Sequence, residues 1–220
     1  MKRFFYIITF SFFFVVSCAS NQGNVNYFLK PKSASKINRV AVLPFMNLTT
    51  DKFSGERARD FAITALLEKG MDVVPKGAVD REVRRLGVPS GFFFDVNDLR
   101  VLADVLKVNG FVQGSVDEYK IERRGTYSYP VVAVTLKVLD TNGNVVWQAS
   151  GVKSYYSTMG RLFGLKSEDS VVALQEFVYE LLKTFNPKSI KAINSENVKK
   201  STVKTVEQKT AEINASIVEK

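Results

Sequence analysis

The hydrophobic period of this chain changes near residue 110, and that change limits the folds open to it. Before it, short β-branched runs alternate with stretches whose apolar residues fall three and four apart. "RVAVLPF" (Arg39–Phe45) is apolar and stopped by Pro44, the pattern of a buried strand. Ser54 can cap a helix running through Lys69, with Ala58, Phe61, Ala62, Ala65 and Leu66 on one face and Gly70 as its stop. Met71–Val74 reads as a second short strand. Val79, Val83 and Leu86 mark a short helix ended by Gly87. Asp95 or Asn97 caps another, with Leu99, Leu102, Ala103 and Leu106 inward. Beyond residue 110 the period is two. Phe111–Tyr119, Val131–Leu139 and Val145–Ser150 read as strands, the last two joined at "DTNGN", where Asn142-Gly143 accepts positive φ at low cost. A final helix, capped by Ser167 and followed by Pro187, carries the stripe Leu174, Phe177, Val178, Leu181, Leu182 and Phe185. The order βαβααβββα predicts an α/β fold, a single domain over residues 37–186 with a mixed β-sheet packed with helices. A body of this size buries about 70% of its extended-chain surface, enough to do without disulfides or metal.

The chain has one cysteine, Cys18, and no histidine. A lone thiol makes no internal disulfide and a poor metal site. Its flanks point to modification instead. Lys2 and Arg3 precede Phe4–Val16, an apolar run broken only by Thr9 and Ser11, and Ser17 is a small exit residue. This is the layout of a secretory signal, too short for the roughly 20 apolar residues of a membrane span. Val15-Val16-Ser17-Cys18 resembles the bacterial lipobox, whose cysteine becomes the lipid-modified first residue of the mature protein. Residues 1–17 are thus expected to be a lipoprotein signal peptide, with Cys18 the lipid attachment point. Ala19, where an aspartate would favour inner-membrane retention, suggests the outer membrane, facing the periplasm.

Asn21–Lys36 is polar, so residues 18–36 are expected to be a lipidated tether. Residues 187–220 turn to Lys, Ser, Thr, Asn and Glu and are expected to be a basic, disordered tail. Within it Val203, Val206, Thr210, Ile213 and Ile217 form a faint heptad. The net charge of +9 suits an anionic envelope surface, and no aromatic-basic motif for nucleic acid accompanies it.

Catalytic groups are scarce. No nucleophile elbow or phosphate-cradling loop occurs, and no histidine can serve as base or ligand. Asp95, Asp98 and Asp140 suit caps and turns; Asp117 and Glu118, adjacent on a strand, face opposite ways. No catalytic residue, metal or cofactor is expected. Two aromatic clusters remain, "GFFFD" with Phe92, Phe93 and Phe94, and "SYYSTMGRLFG" with Tyr155, Tyr156 and Phe163. Three phenylalanines in an extended segment cannot all point inward, so Phe92, Phe93, Phe94, Tyr155 and Tyr156 are candidate partner contacts.

"VAVLPFMNLT", "GMDVVPKGAVDREVRRLGV", "LRVLADVLKVNGFVQGSVDEY" and "VAVTLKVLDTNGNVVWQASG" follow one another over residues 39–186. In that order they resemble the periplasmic domain of the curli-secretion and penicillin-binding-protein activator lipoproteins. The resemblance implies a non-catalytic, tethered module that binds or assembles other envelope components, with a protein partner or a homo-oligomer in view. Curli-type channels carry two long insertions that become membrane hairpins. The corresponding segments here, Lys120–Pro130 and Lys153–Lys166, are short, and Arg123 and Arg124 stand in the first. A channel subunit and a periplasmic small-molecule binder or enzyme are the alternatives.

Overall fold

A computed structural model describes residues 23–88, 94–163 and 169–186. In chain order its elements are β1 (Asn24–Leu29), α1 (Pro31–Ala34), β2 (Arg39–Val42), β3 (Met46–Asn47) and α2 (Ser54–Glu68). They continue with β4 (Asp72–Val73), α3 (Lys76–Leu86), α4 (Val96–Leu106), β5 (Gly110–Arg124) and β6 (Tyr127–Leu139). β7 (Val145–Ser154), α5 (Thr158–Phe163) and α6 (Ser170–Lys183) complete them. The predicted βαβααβββα order is present as β2, α2, β4, α3, α4, β5, β6, β7 and α6. The seven strands form one mixed sheet in the order β1-β7-β6-β5-β2-β4, with β3 continuing beside β5. β2 is parallel to β4 and β5, and β5, β6, β7 and β1 run antiparallel.

Period-two alternation sends side chains to both faces of this sheet. On one face Val112, Val132, Val134, Leu136, Val138 and Trp147 meet the stripes of α2 and α6. Each large apolar side chain buried there contributes about 1.5–3 kcal/mol. Trp147 packs against Phe185 with ring centroids 5.3 Å apart and donates from Nε1 to Thr184 Oγ1 at 3.0 Å, so its polar atom is satisfied. On the other face α3 and α4 cover Ala41, Leu43, Phe111 and Leu139 through Val79, Val83, Leu99 and Leu102. Gly87, at φ 72°, ends α3, and Asp95 and Asp98 form a reciprocal capping box on α4.

Three boundaries differ from the sequence reading. Residues 24–34, expected within the tether, are part of the body: β1 pairs along the outer edge of β7 from Asn24↔Val152 to Leu29↔Trp147. Ser54 is the first residue of α2 rather than its cap, and its hydroxyl bonds Asn47 Oδ1 and Asp51 O instead. β5 and β6 run past Tyr119 and begin before Val131, so Lys120–Pro130 is paired hairpin rather than connecting loop. At the other hairpin only Gly143 takes positive φ, 77°, while Asp140 accepts from the backbone N–H groups of Asn142 and Asn144.

Candidate interaction surface

The sheet is not closed at the end where β5 and β6 turn. β3 leaves β5 at Val116, where Leu48 N–H donates to the Val116 carbonyl at 3.0 Å, and the β7 ladder stops at Ser154↔Val131. Beyond these points Lys120–Arg124 and Tyr127–Val131 continue as a two-stranded arm. Gly125, φ 64°, occupies the first central position of its two-residue loop, where a II′-type turn requires glycine.

Such a ribbon is marginal without a packed face. Here the face is aromatic. Tyr127 and Tyr129 stack at 6.1 Å, and Tyr156 meets them edge-on at 6.0 and 5.1 Å. Gly160 of α5 closes over Tyr127, since a Cβ there would lie 2.8 Å from the phenol oxygen. Arg124 lies over the Tyr156 ring at 5.1 Å, and Arg161 Nη1 donates to Tyr156 Oη at 3.4 Å. That hydrogen bond and the two cations hold the Tyr156 phenol below its ordinary pKa. Tyr129 goes the other way: burial, then its hydrogen bond to Glu122 at 3.1 Å, raises it. Lys120 is raised by its hydrogen bonds to Glu118 and Glu122. On the outside of this end Ile121 is 57% and Leu162 70% exposed, and Arg123, Arg124 and Arg161 are exposed.

The candidate contact residues divide. Tyr156 belongs to the aromatic face just described and is half-buried. Tyr155 is a correction: it is 5% exposed and donates to the Ala173 carbonyl at 2.8 Å, so it is a core residue. Phe94 is half-buried against the α3–α4 side of the core. Phe92, Phe93, Cys18, the Ser167 cap and the tail at 187–220 lie outside the described residues.

Two further features escaped the sequence reading. After β3 the segment 47–54 is knotted by its own polar groups: Asn47 Oδ1 accepts from Thr49 N, Thr49 Oγ1 and Ser54 Oγ, while Asp51 Oδ1 accepts from Phe53 N at 2.8 Å. The Phe53 N–H lowers the Asp51 pKa, with help from Arg57 against the opposing cost of burial. This network turns Leu48 (62%) and Phe53 (64%) outward. The second feature is a stretch of sheet over which no described helix lies. It carries Gln113, Ser115, Thr135, Lys137, Gln148 and Ser150, bordered by Phe28 and Val152 at 49% exposure each.

Chemistry is sparse among the described residues. No group of three or more His, Cys, Asp or Glu could hold a metal ion, and no helix is long and apolar enough to cross a membrane. A groove of about 420 Å³ runs beside α6, lined by Glu176, Tyr179 and Lys183, with Lys153 Nζ paired to Glu180 at 2.7 Å.

No protein-family model and no curated protein matches the chain. Solved structures do. The PelC dodecamer from Paraburkholderia phytofirmans matches at 23% identity and TM-score 0.52, over 76% of this chain and 96% of that one. Lipoprotein GNA1162 from Neisseria meningitidis matches at 21% and 0.44, over 65% and 99%. The LpoB C-terminal domain from Escherichia coli matches at 14% and 0.39, over 56% and 93%. The fold assignment rests on the first alone: this chain has the mixed α/β fold of PelC.

Proposed function

We propose that this protein is a lipid-anchored envelope module that binds or assembles other components without catalysis of its own. The observation that carries the reading is a coincidence of position. The chain enters the folded body at Gly23 and Asn24, beside Val152, at the end of the sheet from which the arm rises. A lipid on Cys18 would therefore hold that end, and the two-stranded arm with it, beside a membrane. The signal layout, the lipobox resemblance and the PelC-like fold support the same reading. Ala19 supports the outer membrane, facing the periplasm, as the address, and the partner would be an envelope protein or further copies of this chain. Cys18→Ala should release the protein from the membrane fraction or leave its leader uncleaved. If the variant fractionates and matures like the parent, the anchor is wrong.

A second reading, a subunit of an oligomeric export assembly, is favoured by one comparison: the PelC structure is a dodecamer. β1 also leaves one edge of the sheet without a described partner strand. Mass photometry of the detergent-solubilised protein decides it. A high-order ring supports this reading and a monomer removes it.

A further inference from the structure

We propose that the tip of the β5–β6 arm, with α5 packed on it, is a membrane-contacting surface that rests on the headgroups of the bilayer holding the anchor. The proposal deepens the anchoring reading of Cys18 and rests on it. Cys18 precedes Asn24 by six residues, and six fully extended residues span at most about 20 Å. Asn24 pairs with Val152, and Val152 with Ala133. From Ala133 back to Tyr127, the first residue of β6, is again six residues, a rise of about 20 Å along a strand. The arm is therefore as long as the tether. A bilayer that holds Cys18 cannot stand farther from the body than the arm extends.

The chemistry of the tip matches that position. Its apolar residues Ile121 and Leu162 face outward at 57% and 70% exposure, although the adjacent tyrosines are buried. Arg123 and Arg124 stand on the same strand as Ile121, and Arg161 precedes Leu162 on α5. None of the ion pairs among the described residues includes these three arginines. They bond or lie over neutral groups: the Gly125 carbonyl, the Tyr156 ring and the Tyr156 hydroxyl. The acids of the arm, Glu118 and Glu122, are taken by Lys120. Exposed apolar side chains next to cations that lack an ion-pair partner suit an anionic lipid surface, where the cations meet phosphate and the apolar groups enter the interface. The pairing also explains what the tyrosine face does: it stiffens a ribbon that would otherwise fold back.

The absence of any cysteine besides Cys18 makes the test direct, because acylation consumes that thiol and an introduced cysteine becomes the only one to label. Lipidated full-length protein carrying Ile121→Cys, or Asn142→Cys at the opposite hairpin, is labelled with an environment-sensitive fluorophore. It is then reconstituted into phosphatidylethanolamine–phosphatidylglycerol vesicles with brominated acyl chains. The expected result is loss of fluorescence at Ile121→Cys and none at Asn142→Cys, with the loss relieved by Arg123→Glu/Arg124→Glu. Vesicle-bound protein whose Ile121→Cys label stays bright and open to iodide overturns the arm contact while leaving the anchor standing. A label shielded from both iodide and bromine assigns the tip to a protein, such as a second copy, and overturns it equally. Protein that does not float with the vesicles overturns the anchor, and the proposal with it.

Discussion

The buried guanidinium of Arg59 donates from Nε and Nη2 to the backbone carbonyl of Val42, at 3.1 and 2.8 Å. Two residues earlier on the same side of β2, the Val40 carbonyl accepts from Val74 N at 2.9 Å. β4 ends after Val73, so Arg59 takes the place of the strand that would have satisfied the next carbonyl. Its charge is met by Asp80 at 2.7 Å, with Glu56 at 3.8 Å. One side chain thus ties α2, β2 and α3 together.

Arg59→Leu should therefore cost about 2–3 kcal/mol, because it strips a buried carbonyl of a charge-assisted partner and leaves Asp80 without its cation. Asp80→Asn should cost less, about 1–2 kcal/mol, because the bonds to Val42 remain and Glu56 still faces the buried guanidinium. Urea denaturation of both variants measures the difference. Equal costs would mean that the ion pair, and not the bond to Val42, is what stabilises this corner.

The β1–β7 contact depends on a glycine. A Cβ built on Gly151 would collide with the Asn24 carbonyl, and would also lie 3.2 Å from the Phe177 ring. Gly151→Ala should push β1 off the sheet edge, at a cost of about 1–3 kcal/mol. Hydrogen exchange should then accelerate across 24–29 while the β5–β6 ladder stays protected. Unchanged protection of β1 would show that the edge absorbs the added methyl without releasing the strand.

Acid should weaken the loop after β3. The Phe53 N–H and Arg57 hold the Asp51 pKa below its ordinary value, so the folded state favours the carboxylate. A group depressed on folding adds stability above its unfolded pKa, about 4, and loses it as pH falls through the folded value. Thermal melts should accordingly show Asp51→Asn destabilised at neutral pH, with the gap to the parent closing as the pH falls below the ordinary carboxylate range. A gap independent of pH would assign the loss to geometry rather than to charge.

How much of this was legible in the sequence follows from where each side chain spends its surface. The helices declared themselves because one stripe of each is fully buried: the six positions read from 174 to 185 are all buried in α6 and the segment after it. β1 did not, because an edge strand with one covered face needs few apolar residues, and "NVNYFL" meets the core only through Val25 and Leu29. The arm was obscured by its own charges. "KIERRGTYSYP" holds a lysine and a glutamate that pair along β5 and an arginine that lies over the Tyr156 ring, so period-two alternation is present without an apolar signature. Tyr155 could have been placed by extending the parity of β7: Trp147, Ala149, Gly151 and Lys153 point to the α6 side, and Tyr155 follows them while Tyr156 takes the other face. Nothing in the pattern of "MNLTTDKFS" announces that Asn47 would organise the loop, since its partners are hydroxyls and backbone groups rather than a hydrophobic period.

The partnership of β1 with β7 sets a timetable for synthesis. Asn24 finds its neighbour at Val152, so the first strand in the order of synthesis waits for its native partner until residues 147–152 have been made. Until then the outer edge of the sheet stays open, so β1 is the last strand to be sealed onto it although it is the first to be made.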